Sequence, residues 1–147
     1  MREPDLLAFG LERNSRAAEN HRQAYAPMRG LVMDFRTDVR AANIGDQFMF
    51  GPAFMVKPVT EPAATSARLY LPQLKWYDFW SGVQVQGART LDAPSPLDRL
   101  PLYIRAGSVL PMGPDIQWST EKPADPIELR VYRGADGRPR QGTFGFV

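Results

Sequence analysis

The chain has 147 residues, about one domain in length, and its 44% hydrophobic and 23% charged residues are the proportions of a globular protein. The net charge is +2 and the charged residues are scattered without a basic run, which gives nucleic-acid binding little support. The chain has no cysteine, which excludes disulfides and thiolate metal sites, and no stretch approaches the ~18 apolar residues of a membrane span. Glu3 and Asp5 stand where a signal peptide would be basic and then apolar, so we expect no secretion signal and leave the compartment open.

Residues 11–25 are polar and rich in helix formers, but they lack an apolar stripe at helical spacing, so they predict at most a weakly packed helix. Further on, short apolar runs alternate with proline and glycine, and the 14 prolines favour short strands and turns. We expect strands at 31–33, 48–50, 53–56, 67–71, 76–80, 83–85, 102–106, 108–110 and 127–131. Ser81 and Gly82 separate two of these runs, which predicts a hairpin.

The clearest alternation in the chain lies near its end, where Ile127, Leu129 and Val131 alternate with polar residues. This period-two pattern predicts a strand with one buried face and one solvated face. Short strands at near-regular spacing, with proline and glycine between them, predict a mainly β chain folded as an antiparallel β-sandwich or a barrel-like sheet.

Few residues offer metal or nucleophile chemistry. His21 is the single histidine, and imidazole-based metal sites need several such ligands, so we expect a solvated histidine and no metal. No serine stands in a Gly-x-Ser-x-Gly elbow, and no glycine-rich phosphate loop occurs, so we expect no cofactor.

Asp34, Asp38 and Asp46 lie close together in the sequence and could form a carboxylate pair. Retaining glycosidases place two carboxyl groups about 5–5.5 Å apart, and inverting ones roughly 6.5–9.5 Å apart. The simpler hypothesis, which we favour, is that Asp34 and Asp38 cap turns by accepting backbone N–H bonds.

Aromatic residues are dense at 76–80, and Trp118 follows later. In a strand, Trp76 and Trp80 would point to one face, and Tyr77 and Phe79 to the other. We expect one of these pairs to be core, since aromatic side chains carry a large share of burial. The alternative is an exposed aromatic surface that stacks on sugar rings.

Six segments resemble glycoside hydrolase family 31, which contains α-glucosidases and α-xylosidases. They are MRGLVMDF at 28–35, DQFMFGP at 46–52, MVKPV at 55–59, LYLP at 69–72, WYDFWSG at 76–82 and LPLYIRAGS at 100–108. The resemblance runs from about 28 to 137, and its strength lies in the order and spacing of the six segments. MFGP and the EKPADP segment at 121–126 look more like α-xylosidases than starch-acting α-glucosidases.

The resemblance implies a domain plan: 1–27 does not match, 28–52 is a remnant of the end of a (β/α)8 catalytic barrel with some helix, 53–137 is a β-sandwich domain, and 138–147 is a non-matching tail. Family members are retaining enzymes with two catalytic aspartates on earlier barrel strands, which have no counterpart here. Asp34 resembles an acidic position at the end of the last barrel strand, outside that pair. We therefore expect no catalytic, cofactor or metal residue in this chain.

The resemblance thus predicts a C-terminal piece of a retaining α-glycosidase for α-xylosides or α-glucosides, inactive alone and marginally folded without its barrel. Loss of similarity at both ends suggests a truncated or frame-shifted gene, or a partial gene prediction. Two alternatives stay open: a stand-alone carbohydrate-binding β-domain, and a docking subunit of a split glycosidase. We expect no nucleic-acid or membrane partner.

Overall fold

A computed structural model describes residues 26–114, 117–118, 121, 125 and 127–134. His21, the helix predicted within 11–25 and the tail at 138–147 lie outside these residues. The described part is mainly β, with antiparallel strand pairs throughout, which confirms the predicted fold class. No helix in it is long and apolar enough to cross a membrane.

The strands are short, as the frequent prolines and glycines predict. They are β1 (Met28–Gly30), β2 (Phe48–Phe50), β3 (Phe54–Val56), β4 (Ser66–Leu71), β5 (Lys75–Asp78), β6 (Gln84–Gln86), β7 (Arg89–Pro94), β8 (Leu102–Arg105), β9 (Val109–Met112) and β10 (Glu128–Val131). One short helix, α1 (Leu31–Asp34), and a 3-10 turn at Ala41–Asn43 interrupt them.

The core lies on both faces of a six-stranded sheet with the order β1-β2-β3-β8-β5-β6. On one face, Phe54 and Ile104 pack with residues of the two-stranded β9–β10 ribbon. On the other face, Met55 and Trp76 pack with α1 and with the two-stranded β4–β7 sheet. Strands β2, β3, β5 and β8 therefore have apolar side chains on both faces, which explains their continuous apolar runs.

The predicted strand at 31–33 is wrong, because these residues begin helix α1 directly after the short strand β1. Leu31 is fully buried, whereas Val32 and Met33 are exposed, so the single helical turn buries one residue of the run. A run of three apolar residues does not by itself distinguish a strand from a buried helical turn. β1 and β2 hydrogen-bond in the same sheet as β3, so strand pairing crosses the predicted boundary at 52–53. That boundary stays a prediction.

The hairpin between β5 and β6 is confirmed, with Trp76 opposite Val85. Asp78 builds the turn, because its Oδ1 accepts the backbone N–H groups of Trp80 (3.1 Å) and Ser81 (2.7 Å). Gly82 completes the turn with φ +70°, a left-handed conformation that favours glycine.

The strand predicted near the end is confirmed as β10, but its burial is not. Leu129 and Val131, which the alternation places on a buried face, are 56% and 55% exposed. The prediction that the face with Leu129 and Val131 is buried is therefore wrong, since the ribbon packs on the core through its opposite face. A period-two pattern shows which residues share a face, and another part of the molecule must cover that face to bury it.

Candidate functional site

A cleft of about 970 Å³ opens beside β1 and α1. We call it the arginine-lined cleft, since it contains Arg29, Arg36, Arg40 and Arg105 together with Asp34, Phe35, Asp38 and Tyr70. Most of these residues come from the segment between β1 and the 3-10 turn; Tyr70 lies on β4 and Arg105 ends β8. The cleft brings Asp34 and Asp38 to one surface, as their spacing suggested.

Asp34 is held by a buried arginine. Arg29 Nε donates to Asp34 Oδ1 (3.0 Å), and Arg29 Nη2 donates to Asp34 Oδ2 (2.8 Å). The two side chains are only 3% and 7% exposed. The guanidinium also donates to the carbonyl oxygens of Ala26 and Gly51, both at 2.9 Å. This two-point pairing fixes the carboxylate against β1 and gives Asp34 a structural role.

Asp38 links its own loop to the β4–β7 sheet. Its Oδ1 accepts the backbone N–H groups of Arg40 (3.0 Å) and Ala41 (3.4 Å), which confirms the predicted turn cap. Its Oδ2 accepts the phenolic O–H of Tyr70 at 2.8 Å. The pKa of Tyr70 is raised, first by burial and then by this hydrogen bond, which favours the protonated phenol.

Two arginines of the cleft stack on aromatic rings. The Arg40 guanidinium lies 5.9 Å from the Tyr70 ring centroid, and that of Arg105 lies 5.5 Å from the Phe35 centroid. Both are within the range of a cation–π contact. The sequence analysis missed these pairs because each joins residues 30 or more positions apart, and no local pattern signals them.

Asp46, the third candidate carboxylate, is not among the residues lining the cleft. It forms an ion pair with Lys57, whose side chain is 11% exposed, while the Asp46 side chain is 65% exposed. The three aspartates thus serve three separate structural contacts. Within the described residues, no group of three or more His, Asp or Glu side chains could hold a metal ion.

The aromatic cluster at 76–80 is mostly core, as predicted, but not in the predicted pairs. Trp76 and Phe79 are buried, in different core clusters, and Tyr77 and Trp80 are half-buried. The pairing fails because β5 ends at Asp78, so the strand alternation does not extend to Phe79. Trp80 Nε1 donates to Leu100 O (2.7 Å), and the Arg99 guanidinium lies 5.4 Å from the Trp80 ring. The Arg99 side chain therefore covers part of the Trp80 ring, which is less available for stacking on a sugar.

A second, smaller cleft of about 500 Å³ lies between the loops at 59–64 and 95–100, beside Trp80. Ala63 in this cleft has φ +58°, which is unusual for a residue with a side chain. Ser95 lines the cleft, and its buried Oγ has no hydrogen-bond partner within the described residues.

The fold and the clefts define a mainly β domain in which Asp34, Asp38 and Asp46 form structural contacts. Comparison with known proteins then identifies the family. Residues 24–110 match the sequence model of the glycosyl hydrolase family 31 C-terminal domain, and the chain belongs to this family. The expected resemblance is thereby confirmed.

Two α-xylosidases are among the similar proteins. The α-xylosidase of Saccharolobus solfataricus is 44% identical over 115 residues, which is 77% of this chain and 16% of that protein. The family 31 α-xylosidase from Xanthomonas citri has 39% sequence identity and a TM-score of 0.78 over 83% of this chain and 13% of its own. A Flavobacterium johnsoniae family 31 dextranase, solved with isomaltotriose, has 28% identity and a TM-score of 0.78, covering 83% of this chain and 15% of its own. This chain therefore spans only 13–16% of the length of these relatives.

Proposed function

We propose that this chain acts as the C-terminal part of a larger retaining α-glycosidase and has no hydrolase activity alone. The main support is that Asp34 and Asp38, the two carboxylates in the arginine-lined cleft, each accept hydrogen bonds from groups that hold the fold together. Family resemblance assigns the nucleophile and the acid/base to aspartates on earlier barrel strands. This chain covers only a small part of the length of its relatives, which supports the proposal that the catalytic residues lie elsewhere in the larger enzyme.

In this role the domain supports a catalytic barrel through apolar contact. Large apolar side chains are exposed on β1, α1 and the following loop: Met28, Val32, Met33 and Val39. Exposed apolar surface of this kind marks an interaction site. Since the matching family model is a C-terminal domain, the rest of the enzyme would precede β1 and reach the sandwich at this surface.

An α-xyloside is the substrate we propose for the assembled enzyme. Similarity to two α-xylosidases, at 44% and 39% identity, supports this choice over an α-glucoside. We expect this domain to stabilise and position the catalytic barrel, and the barrel to select the sugar.

A chimera tests the proposal. In the S. solfataricus α-xylosidase, the matching segment is replaced with that of this chain, and hydrolysis of aryl α-xyloside and aryl α-glucoside is measured. We expect activity in the chimera, a preference for the xyloside, and no activity of this chain alone. Asp34→Asn and Asp38→Asn in the isolated chain are the matched controls. Hydrolysis by the isolated chain that either substitution abolishes would refute the proposal.

The alternative of a free carbohydrate-binding domain has less support, because the cluster at 76–80 is buried or covered. Trp118 is 57% exposed and is the better candidate for stacking. Titrating tryptophan fluorescence with xylo- and gluco-oligosaccharides separates the two functions. A saturating change that Trp118→Ala removes would favour sugar binding.

A further inference from the structure

The smaller of the two clefts has walls that hydrogen bonds hold in place. The loops at 59–64 and 95–100 leave the paired strands β4 and β7 at the same end. At the base of the loops, the backbone N–H of Ser95 donates to Thr65 O (2.9 Å). The indole N–H of Trp80 donates to a backbone carbonyl of the second loop (2.7 Å). The volume of about 500 Å³ lies within the ~300–1,000 Å³ of small-molecule sites, and we call this space the Ser95 cleft.

Ser95 gives this cleft a polar group that the fold leaves unused. The residue lines the cleft and is 3% exposed, and its Oγ has no hydrogen-bond partner within the described residues. A buried hydroxyl without a partner is unfavourable, and native proteins contain few of them. Because the Oγ is shielded from water, a ligand reaches it by displacing a side chain at the rim. The rim includes Leu97, which is fully exposed, and Arg99, whose side chain is 46% exposed, and both can move without disturbing the core.

The charges of the cleft select against an ionic ligand. Its lining contains two carboxylates, Glu61 and Asp98, and one guanidinium, Arg99, so the net charge of −1 disfavours an anion. The place of a cation is already taken, because Arg99 Nε lies 3.7 Å from Asp98 Oδ2 and the guanidinium lies 5.4 Å from the Trp80 ring. The 3.7 Å separation is longer than a hydrogen bond, so both groups keep their capacity to bind a neutral polar ligand.

Most of the remaining lining is apolar, and part of it is conformationally restricted. Pro62 and Ala63 line one side, and Pro96 and Leu97 line the other. Proline has a fixed φ, and Ala63 is held at φ +58°, a left-handed conformation that is unfavourable for a residue with a side chain. Backbone strain of this kind is concentrated at ligand sites. The cleft therefore suits a ligand that has an apolar face and several hydroxyl groups.

We propose that the Ser95 cleft binds a neutral pyranose sugar. Each sugar hydroxyl can donate and accept, so hydroxyl groups can donate to Glu61 and Asp98, accept from Arg99 and pair with Ser95 Oγ. The C–H face of the ring packs on the proline-containing walls, so the site does not require stacking on the covered Trp80 ring. The site is made by this chain alone, and sugar binding to it is independent of whether a chimera with a catalytic barrel is active.

Tryptophan fluorescence of the full chain tests the site, since Trp80 lies in its wall. The titration uses the Trp118→Ala variant, because Trp118 is exposed and does not line the cleft. We expect D-xylose and isomaltose to give a saturating change in the millimolar range, and sorbitol, which has hydroxyl groups but no ring, to give none. Saturation-transfer NMR with the same compounds is a readout that does not depend on tryptophan. Absence of binding in both measurements overturns the proposal, as does sugar binding that Trp118→Ala abolishes or equal binding of sorbitol.

Two substitutions in the cleft test the contacts, and a third outside it is the matched control. Ser95→Ala should weaken sugar binding about two- to tenfold, the usual effect of losing one neutral hydrogen bond. Asp98→Ala should weaken it by about tenfold or more, because hydrogen bonds to charged groups are stronger. Asp92→Ala removes an exposed carboxylate of β7 that does not line the cleft, so binding should not change. Melting temperatures show that the variants are folded. Binding that neither cleft substitution weakens, or that Asp92→Ala weakens equally, overturns the proposal.

Discussion

Replacing Arg29 with methionine should be among the most damaging single changes in the described part of the chain. The substitution keeps much of the side-chain volume but removes the cation that pairs with Asp34. Asp34 would then be a carboxylate with a 7% exposed side chain and without its arginine. The carbonyl of Gly51 would also lose a buried hydrogen bond.

The expected loss of unfolding free energy is about 3–5 kcal/mol, the usual effect of removing one partner of a buried pair. Domains of this size have only about 5–15 kcal/mol in total, so the variant should lie near the unfolding threshold. The matched control is Arg99→Met, which breaks a 3.7 Å pair with Asp98 whose side chains are 46% and 63% exposed. Exposed pairs of this kind contribute about 0–1 kcal/mol, and the contact of the Arg99 guanidinium with the Trp80 ring adds about 0.5–1 kcal/mol.

Urea unfolding followed by tryptophan fluorescence measures both losses, because Trp76 is fully buried and reports on the core. All variants are compared at one protein concentration, since self-association would change apparent stability. Adding Asp34→Asn to Arg29→Met should recover part of the loss, since it removes the buried charge that Arg29 had paired with. A loss for Arg29→Met no larger than that for Arg99→Met would refute the reasoning.

Three further outcomes follow from single positions. Gly87→Ala should lower the free energy of unfolding by about 3 kcal/mol or more, because the new Cβ would lie 1.9 Å from Pro72 O. Gly45→Ala is the control: a Cβ there would have nothing within 4 Å, so the urea midpoint should change little. Burial raises the pKa of Tyr103 to about 12, so between pH 10 and 12 the Tyr103 phenol ionises first in the unfolded state, and stability should fall as the pH rises. Burial also raises the pKa values of Tyr70 and Tyr132, so ultraviolet difference titration should show several late-ionising tyrosines, and ionisation of all of them at pH 10 would contradict this. Ser95→Ala removes a buried hydroxyl that has no hydrogen-bond partner in the described residues, so the melting temperature of the variant should stay the same or rise. A lower melting temperature would show that the hydroxyl does make a stabilising hydrogen bond.

Sequence patterns predicted most strands because each is a short apolar run ended by proline, glycine or aspartate. The run at 67–71 ends at Pro72 and became β4, and the run at 76–80 gave β5, which ends at Asp78. These signals are local, since proline removes a backbone donor and aspartate caps the turn. β7 was missed because its sequence, RTLDAP, contains no continuous apolar run and becomes a strand through its pairing with β4.

The arginine-lined cleft could be anticipated only in part. Asp34 and Asp38 are close in sequence, and their common location followed from that spacing. Tyr70 and Arg105 reach the cleft from β4 and β8, which fold against this segment through distant contacts. A single sequence does not reveal such pairings, because they depend on strand order rather than on neighbouring residues.

The segments that resemble the family coincide with contacts that hold the sandwich together. Arg29 and Asp34 form the buried ion pair of the first segment. Gln47 of the second exchanges hydrogen bonds with the Tyr70 backbone of the fourth, at 2.9 Å through its Nε2 and 2.8 Å through its Oε1. Trp76 of the fifth is fully buried and donates to Pro72 O (2.9 Å). Because these residues maintain packing, they identify the family but carry no information about which sugar is the substrate. Changing them should alter the stability of the fold before it alters substrate preference.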